Sequence, residues 1–211
     1  MLWAEFVVIF LAAPLTMAAS VAYGWVSTNR IPSAFVLLFV IAVLLLMRTK
    51  GFRWRSLLEG PLIASVPLAI GFIVLTGAIT AFLTLIEAPR AFFFLPDKMP
   101  GLWLMITVFY PIFSVIPQGL IYRVLFFERY GGLFPTRRIA LAVSAMTFGL
   151  AHLFYLNWVA VVLTMAGGVV FSWTYAEQRS FGFSVLLHAI AGWLLFTIGL
   201  GGIYFYHGSI G

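Results

Sequence analysis

Long apolar stretches, separated by short polar or turn-forming clusters, run through the chain at about 3 to 25, 32 to 48, 61 to 86, 101 to 122, 138 to 156, 158 to 176 and 182 to 205. Each is close to the ~20 residues that a helix needs to cross hydrocarbon, where no backbone N–H or C=O can be left unpaired. The pattern predicts an all-α fold, a polytopic transmembrane helix bundle of about seven spans. Pro111 and Pro117 each remove a backbone donor and clash with the preceding turn, so the fourth span should be kinked or broken just before Gln118. Gly167-Gly168 and Gly199-Leu200-Gly201-Gly202 suit close helix approach or local bending. Trp103, Trp158, Trp173, Tyr204 and Tyr206 fall near span ends, where aromatic rings anchor helices at the interface. The stretch from Phe126 to Arg138 mixes aromatics with Glu128, Arg129, Arg137 and Arg138, and reads either as a segment in the headgroup layer or as a connecting loop.

Charge adds an orientation. Arg48, Lys50, Arg53 and Arg55 follow the second span, Arg123, Arg129, Arg137 and Arg138 the fourth, and Arg179 the sixth, leaving Arg30, Arg90 and Lys98 for the other side. Cytoplasmic loops collect Lys and Arg, so the expected N-terminus is cytoplasmic. The same asymmetry accounts for the net charge of +6 without a nucleic-acid partner. The first span resembles a secretory signal in its small residues, but its only early charge is Glu5 rather than a basic cluster, so it is read as a retained span. Composition agrees: 64% hydrophobic residues exceeds the ~45–50% of a soluble domain, and the expected partner is the lipid bilayer itself. Cysteine is absent, which removes disulfides, thiolate nucleophiles and Cys-ligated metal.

Against this background three ionisable side chains stand out. Arg123, His152 and His188 sit in apolar stretches, where burying such a group costs at least ~2.5–3.5 kcal/mol, so their presence marks a candidate functional site. Phe148 and His152 are four apart and share a helical face, as do Gly119 and Arg123. Gln118 and Gly119 lead into the arginine and offer no carboxylate. Two imidazoles without a partner carboxylate fall short of the three protein ligands of a catalytic zinc, so neither a metal nor another cofactor is expected. His207 lies near the C-terminus and is read as incidental. Counting from the basic side puts His152 farther along its span than His188, so the fifth span must start late, tilt or bend if the two are to meet.

The order and spacing of these residues resemble the CAAX-protease and bacteriocin-processing family of glutamic intramembrane proteases, the group that includes the eukaryotic prenyl-protein endoprotease. That family carries Glu-Glu-x-x-x-Arg, then Phe-x-x-x-His, then His-x-x-x-Asn. Arg123, Phe148, His152 and His188 match, over a similarity of about 101 to 205. The resemblance implies a core at 101–211 behind N-terminal transmembrane helices at 1–100, in one integrated membrane domain. It also implies cleavage of a membrane-associated peptide or lipidated protein from the cytoplasmic side, with Arg123, His152 and His188 in the catalytic machinery and Gln118, Gly119, Phe148 and Gly192 lining the site. An integral protein of a bacterial inner (plasma) membrane is expected.

The departures fall on the chemistry. The two family glutamates, thought to activate water, fall on Gln118 and Gly119, and the Asn position falls on Gly192. Losing one oxyanion donor costs ~10²–10³ in rate, and a general base contributes ~10²–10⁴. A glutamine amide cannot take water's proton, and Glu5, Glu59, Glu87, Asp97, Glu128 and Glu177 are all placed near span ends or in loops. Two readings therefore stand side by side: an intramembrane protease of this family, and a non-catalytic member that binds or protects a membrane peptide as an immunity or partner protein would. A small transporter would need polar or acidic pathway residues that the spans lack.

Overall fold

The computed structural model describes residues 1–26 and 30–204, and for 203 and 204 the backbone alone. His207 and Tyr206 lie outside the described residues. Seven long helices make up the fold: α1 (Leu2–Ala22), α2 (Ile31–Met47), α3 (Val66–Glu87), α4 (Pro100–Leu133), α5 (Arg137–Leu150), α6 (Trp158–Ala176) and α7 (Phe181–Ile198). All but the 17-residue α2 are long and apolar enough to cross a membrane, taking α5 with the helical turn that follows it. The outward faces carry residues such as Val36, Val74, Met105 and Met146, all more than half exposed, as a lipid-facing surface requires.

Several boundaries differ from the sequence expectation, among them the seventh span, whose helix ends at Ile198 rather than near 205 because Gly199 turns the backbone at φ +134°. The third span begins at Val66 rather than near 61, because Ser65 accepts from the Leu68 N–H as a cap and Pro67 occupies the first turn. The fourth does not stop near 122: the helix continues through 133, so the stretch after Phe126 is mostly helix rather than a connecting loop. From Leu120 to Tyr130 it is wound in wide i→i+5 turns. Its aromatics pack inward. Phe126 and Tyr130 are buried against Phe6 and Phe10 of α1, with Phe126 stacked on Phe134 at 5.5 Å. Arg129, which looked like a boundary charge, pairs with Glu5 at 2.7 Å and donates to Thr49 at the end of α2. The fifth span reaches Tyr155 much as expected, but its regular helix is only the fourteen residues Arg137–Leu150, with a separate tight turn over Leu153–Tyr155.

The basic residues cluster as their loops predicted. Arg129 reaches the end of α2, Arg137 pairs with Glu177 at 2.6 Å and donates to the Ala176 carbonyl, and the Arg179 carbonyl abuts Gly60. The ends of α2, α4 and α6 and the starts of α5 and α7 thus share one end of the bundle. At the opposite end the Phe93 N–H donates to the Ile198 carbonyl at 3.0 Å.

The carbonyl freed by Pro111 is satisfied from a neighbouring helix, and further side-chain hydrogen bonds to backbone carbonyls tie the helices together. Pro111 cannot donate to Thr107, and the freed Thr107 carbonyl accepts from the Trp193 indole of α7 at 3.0 Å. In the wide-turn segment the Tyr122 carbonyl accepts from Ser144 at 2.8 Å, and Ser144 in turn shares a 2.8 Å hydrogen bond with Ser172 of α6. Ser184 of α7 donates to the Phe171 carbonyl at 2.8 Å. Helices α5 and α6 approach closely where Gly168 faces the backbone of Ala145, so that a Cβ at 168 would lie 3.2 Å from the Ala145 Cα, and again where Gly149 faces the Val161 carbonyl.

A branched side chain at 168 has no room in that crossing. Gly168→Val should lower stability by about 1–3 kcal/mol through overpacking, read as a fall in the thermal unfolding midpoint in detergent, whereas Met146→Leu on the exposed face should leave it unchanged.

Candidate functional site

The wide turns of α4 deliver Arg123 to the place where α4, α5 and α6 meet. Its side chain is 1% exposed, with the guanidinium carbon 4.0 Å from the centre of the Phe148 ring and 5.0 Å from that of Phe171. Such desolvated cation–π contacts are worth ~2 kcal/mol or more. They engage the face of the guanidinium and leave its edge. None of the three guanidinium nitrogens has a hydrogen-bond partner.

His152 sits in the turn that ends α5, one residue past the Ala151 cap, rather than on the helix itself. Its Nδ1–H donates to the Phe148 carbonyl at 2.7 Å, leaving Nε2 as the lone-pair nitrogen of the neutral ring. His188, 7% exposed on α7, stacks on Phe171 at 4.7 Å and meets Phe148 edge-on at 5.3 Å, while His152 meets the same Phe148 at 4.8 Å. Arg123, His152 and His188 thus all lie against Phe148.

Two cavities adjoin this cluster. The smaller, of about 190 Å³, lies among α3, α4, α6 and α7 and is lined by His152, His188, Phe148, Phe171, Tyr110 and Gly192, with Arg123 outside its wall. The larger, of about 570 Å³, lies between α1, α2 and α4. Ser114, Gln118, His152 and Tyr155 line both and so form a polar partition. Gln118 donates from Nε2 to Ser114 at 2.8 Å, and its Oε1 is buried without a partner.

The two glycines at the positions of family side chains are filled from elsewhere. A Cβ at Gly119 would lie 3.0 Å from the Phe181 ring and 3.6 Å from Val185, so position 119 faces α7 while Arg123 lies against Phe148 and Phe171. At Gly192 the filling is tighter. A Cβ there would overlap the Tyr110 ring and come within 2.6 Å of its hydroxyl. Tyr110, which sequence reasoning passed over, therefore holds the space of a side chain at 192 and brings an O–H donor to the cavity wall. The signal was indirect: a glycine at a position that carries a side chain in the family implies that something else occupies the volume.

No carboxylate reaches the cavities. Glu5 pairs with Arg129, Glu59 with Arg53, Asp97 with Lys98 and Glu177 with Arg137; Glu128 accepts from Tyr175, and Glu87 ends α3. Among the described residues no three His, Asp or Glu side chains gather as a metal site would need.

Residues 100–194 match the family model described as type II CAAX prenyl endopeptidase Rce1-like. The match spans α4 to most of α7 and so includes Arg123, Phe148, His152 and His188 together with Gln118, Gly119, Tyr110 and Gly192. No curated protein and no solved structure matches the chain.

The fit of Tyr110 against Gly192 predicts coupled substitutions. Gly192→Ala should destabilise the protein, and Tyr110→Ala should relieve most of that loss, giving a coupling of ~0.5–3 kcal/mol in a double-mutant cycle of thermal unfolding. Additive effects would remove the contact from the account of this site.

Proposed function

We propose that this CAAX-protease-like integral membrane protein binds a membrane peptide or lipidated segment in its paired cavities without hydrolysing it. The observation that carries the reading is the absence of a carboxylate from both cavity walls, since each acid of the chain is engaged or placed elsewhere. Attack of water on an amide needs a proton acceptor, and a positioned one is worth ~10²–10⁴-fold. Gln118 cannot serve. The Phe181 ring stands where a side chain at 119 would begin, so the loss of the family acid is accompanied by repacking rather than by open space.

What remains suits binding. Ligand pockets run to ~300–1,000 Å³ with apolar walls and a few convergent polar groups. The larger cavity falls in that range and the smaller below it. The body of a ligand is therefore assigned to the larger cavity, with its tip reaching past Gln118 toward His152 and His188. Tyr110 and the imidazoles supply hydrogen bonds there. Arg123 holds Phe148 and Phe171 in place as the wall. The protein is assigned to a bacterial plasma membrane with the basic end of the bundle, and hence the N-terminus, in the cytoplasm, by the asymmetry of Lys and Arg.

Two experiments test this reading. The purified protein in liposomes should leave both prenylated and plain fluorogenic membrane peptides uncut, while a photo-crosslinking residue at Leu38 or Leu163, in the cavity walls, should capture peptide that one at Met146 does not. Turnover abolished by His188→Ala would overturn it. For orientation, the cysteine-free chain allows single-cysteine labelling: Lys50→Cys should react with a membrane-impermeant reagent only after the cells are opened, and Lys98→Cys in intact spheroplasts.

A further inference from the structure

The larger cavity is a slot that is closed toward one end of the bundle. Its lining on α1 runs from Ala13 to Ser20 and on α2 from Ile31 to Ile41, with Ser114 and Gln118 of α4 and the turn at 151–155 completing the wall. These positions lie near the middle of the bundle or in the half away from the clustered basic residues. Toward the basic end the same three helices close on one another. Phe6 and Phe10 of α1 pack edge to face with Phe126 and Tyr130 of α4, all at most 3% exposed, Ala42 and Leu46 of α2 are fully buried, and the Arg129–Glu5 pair lies beyond them. Close-packed rings leave no passage for a chain on that side. In the other half Leu37 and Phe113 line the slot and are still more than half exposed, so its wall is open between α2 and α4.

We propose that this slot receives the end of an apolar peptide, presented from the side of the membrane opposite the basic end of the bundle. The proposal rests on the binding role given above and adds the side of entry and the depth of insertion. From Ile31 to Ile41 the lining rises ~15 Å along the helix axis, about half of a ~30 Å hydrocarbon core. An extended chain advances ~3.3 Å per residue, so about four or five residues fill that length. The inner end of the slot is its polar part, where Ser114, Gln118, His152 and Tyr155 also line the smaller cavity. The methyl end of an acyl chain has nothing to offer such groups, whereas the backbone amides of a peptide exchange hydrogen bonds with them. By the asymmetry of Lys and Arg the side of entry faces away from the cytoplasm, the reverse of the cytoplasmic cleavage that the family resemblance implies.

The test uses the full chain in its membrane and an acetylated peptide, Leu-Ala-photoleucine-Ala-Leu, followed by a hexalysine tail that cannot cross the bilayer. The peptide is added to spheroplasts or to inverted vesicles and irradiated, and the crosslinked positions are mapped by mass spectrometry. Crosslinks at Met17 or Leu38, in the slot, should be about tenfold more abundant from the face that labels Lys98→Cys than from the face that labels Lys50→Cys. Because those two cysteines define the faces, the result does not depend on the absolute orientation of the protein. Equal or greater capture from the Lys50 face overturns the proposal, as does capture at the exposed Met105 without any in the slot. A dodecyl chain with the same diazirine and the same tail separates the occupants: if it is captured as well as the peptide, the slot takes an alkyl chain and the peptide assignment fails. Gln118→Leu should lower peptide capture about twofold to tenfold, the worth of one hydrogen bond, and leave capture of the alkyl probe unchanged. Unchanged peptide capture by that variant would place the tip elsewhere and overturn the depth. Cleavage of the peptide would refute the non-hydrolysing role, while crosslinks in the slot would still report the side of entry.

Discussion

The sandwich of the Arg123 guanidinium with Phe148 and Phe171 is the contact on which the rest of the core turns. It joins α4, α5 and α6 at one point, and through the stacking of Phe171 on His188 it reaches α7. The arrangement requires that Arg123 point into the bundle, which the wide turns of α4 achieve. Ser144 adds a donor to the Tyr122 carbonyl in that segment and links onward to Ser172, which ties α4, α5 and α6 together beside the arginine. Each interhelical hydrogen bond of this kind adds ~0.6 kcal/mol on average. The site and the packing are one construction.

The polar stitches show how an irregular helix is tolerated at this position. Pro111 denies Thr107 its ordinary partner, and Trp193 takes its place from α7. Trp103, which the sequence suggests as an interfacial anchor, donates to Thr197 at 3.0 Å. Helix α4 is therefore fastened to α7 twice in the turns before Pro111. Tyr110 follows these fastenings, and its ring is pressed against Gly192 of α7.

Much of this architecture was legible from residue order. Apolar run lengths give the helices, and Pro111 gives the carbonyl that Trp193 satisfies, although α4 runs on without a break from Pro100 to Leu133. The Arg and Lys clusters mark one end of the bundle, and Gly168 marks the close crossing of α5 and α6. The continuation of α4 to Leu133 was not, because Glu128 and Arg129 resemble a boundary until their partners, Tyr175 and Glu5, are known from the fold. Wide helical turns also shift the registry that a period of 3.6 assumes, so a face shared by Gly119 and Arg123 on paper becomes two different neighbourhoods. The gathering of Phe148, His152 and His188 follows their motif spacing. Tyr110 and Phe181 could not be found that way, since each acts by filling space beside a glycine far away in the chain.

That filling imposes a direction on sequence change. Because the Tyr110 ring already stands in the volume of any Cβ at 192, a larger residue cannot enter that position until the tyrosine has first been replaced by something smaller. The intermediate with two small residues would carry a hole in its packing, and the intermediate with two large ones a collision. The pair is thus bounded by a void at one single-step exit and by steric hindrance at the other, like a pawl that has dropped behind its tooth.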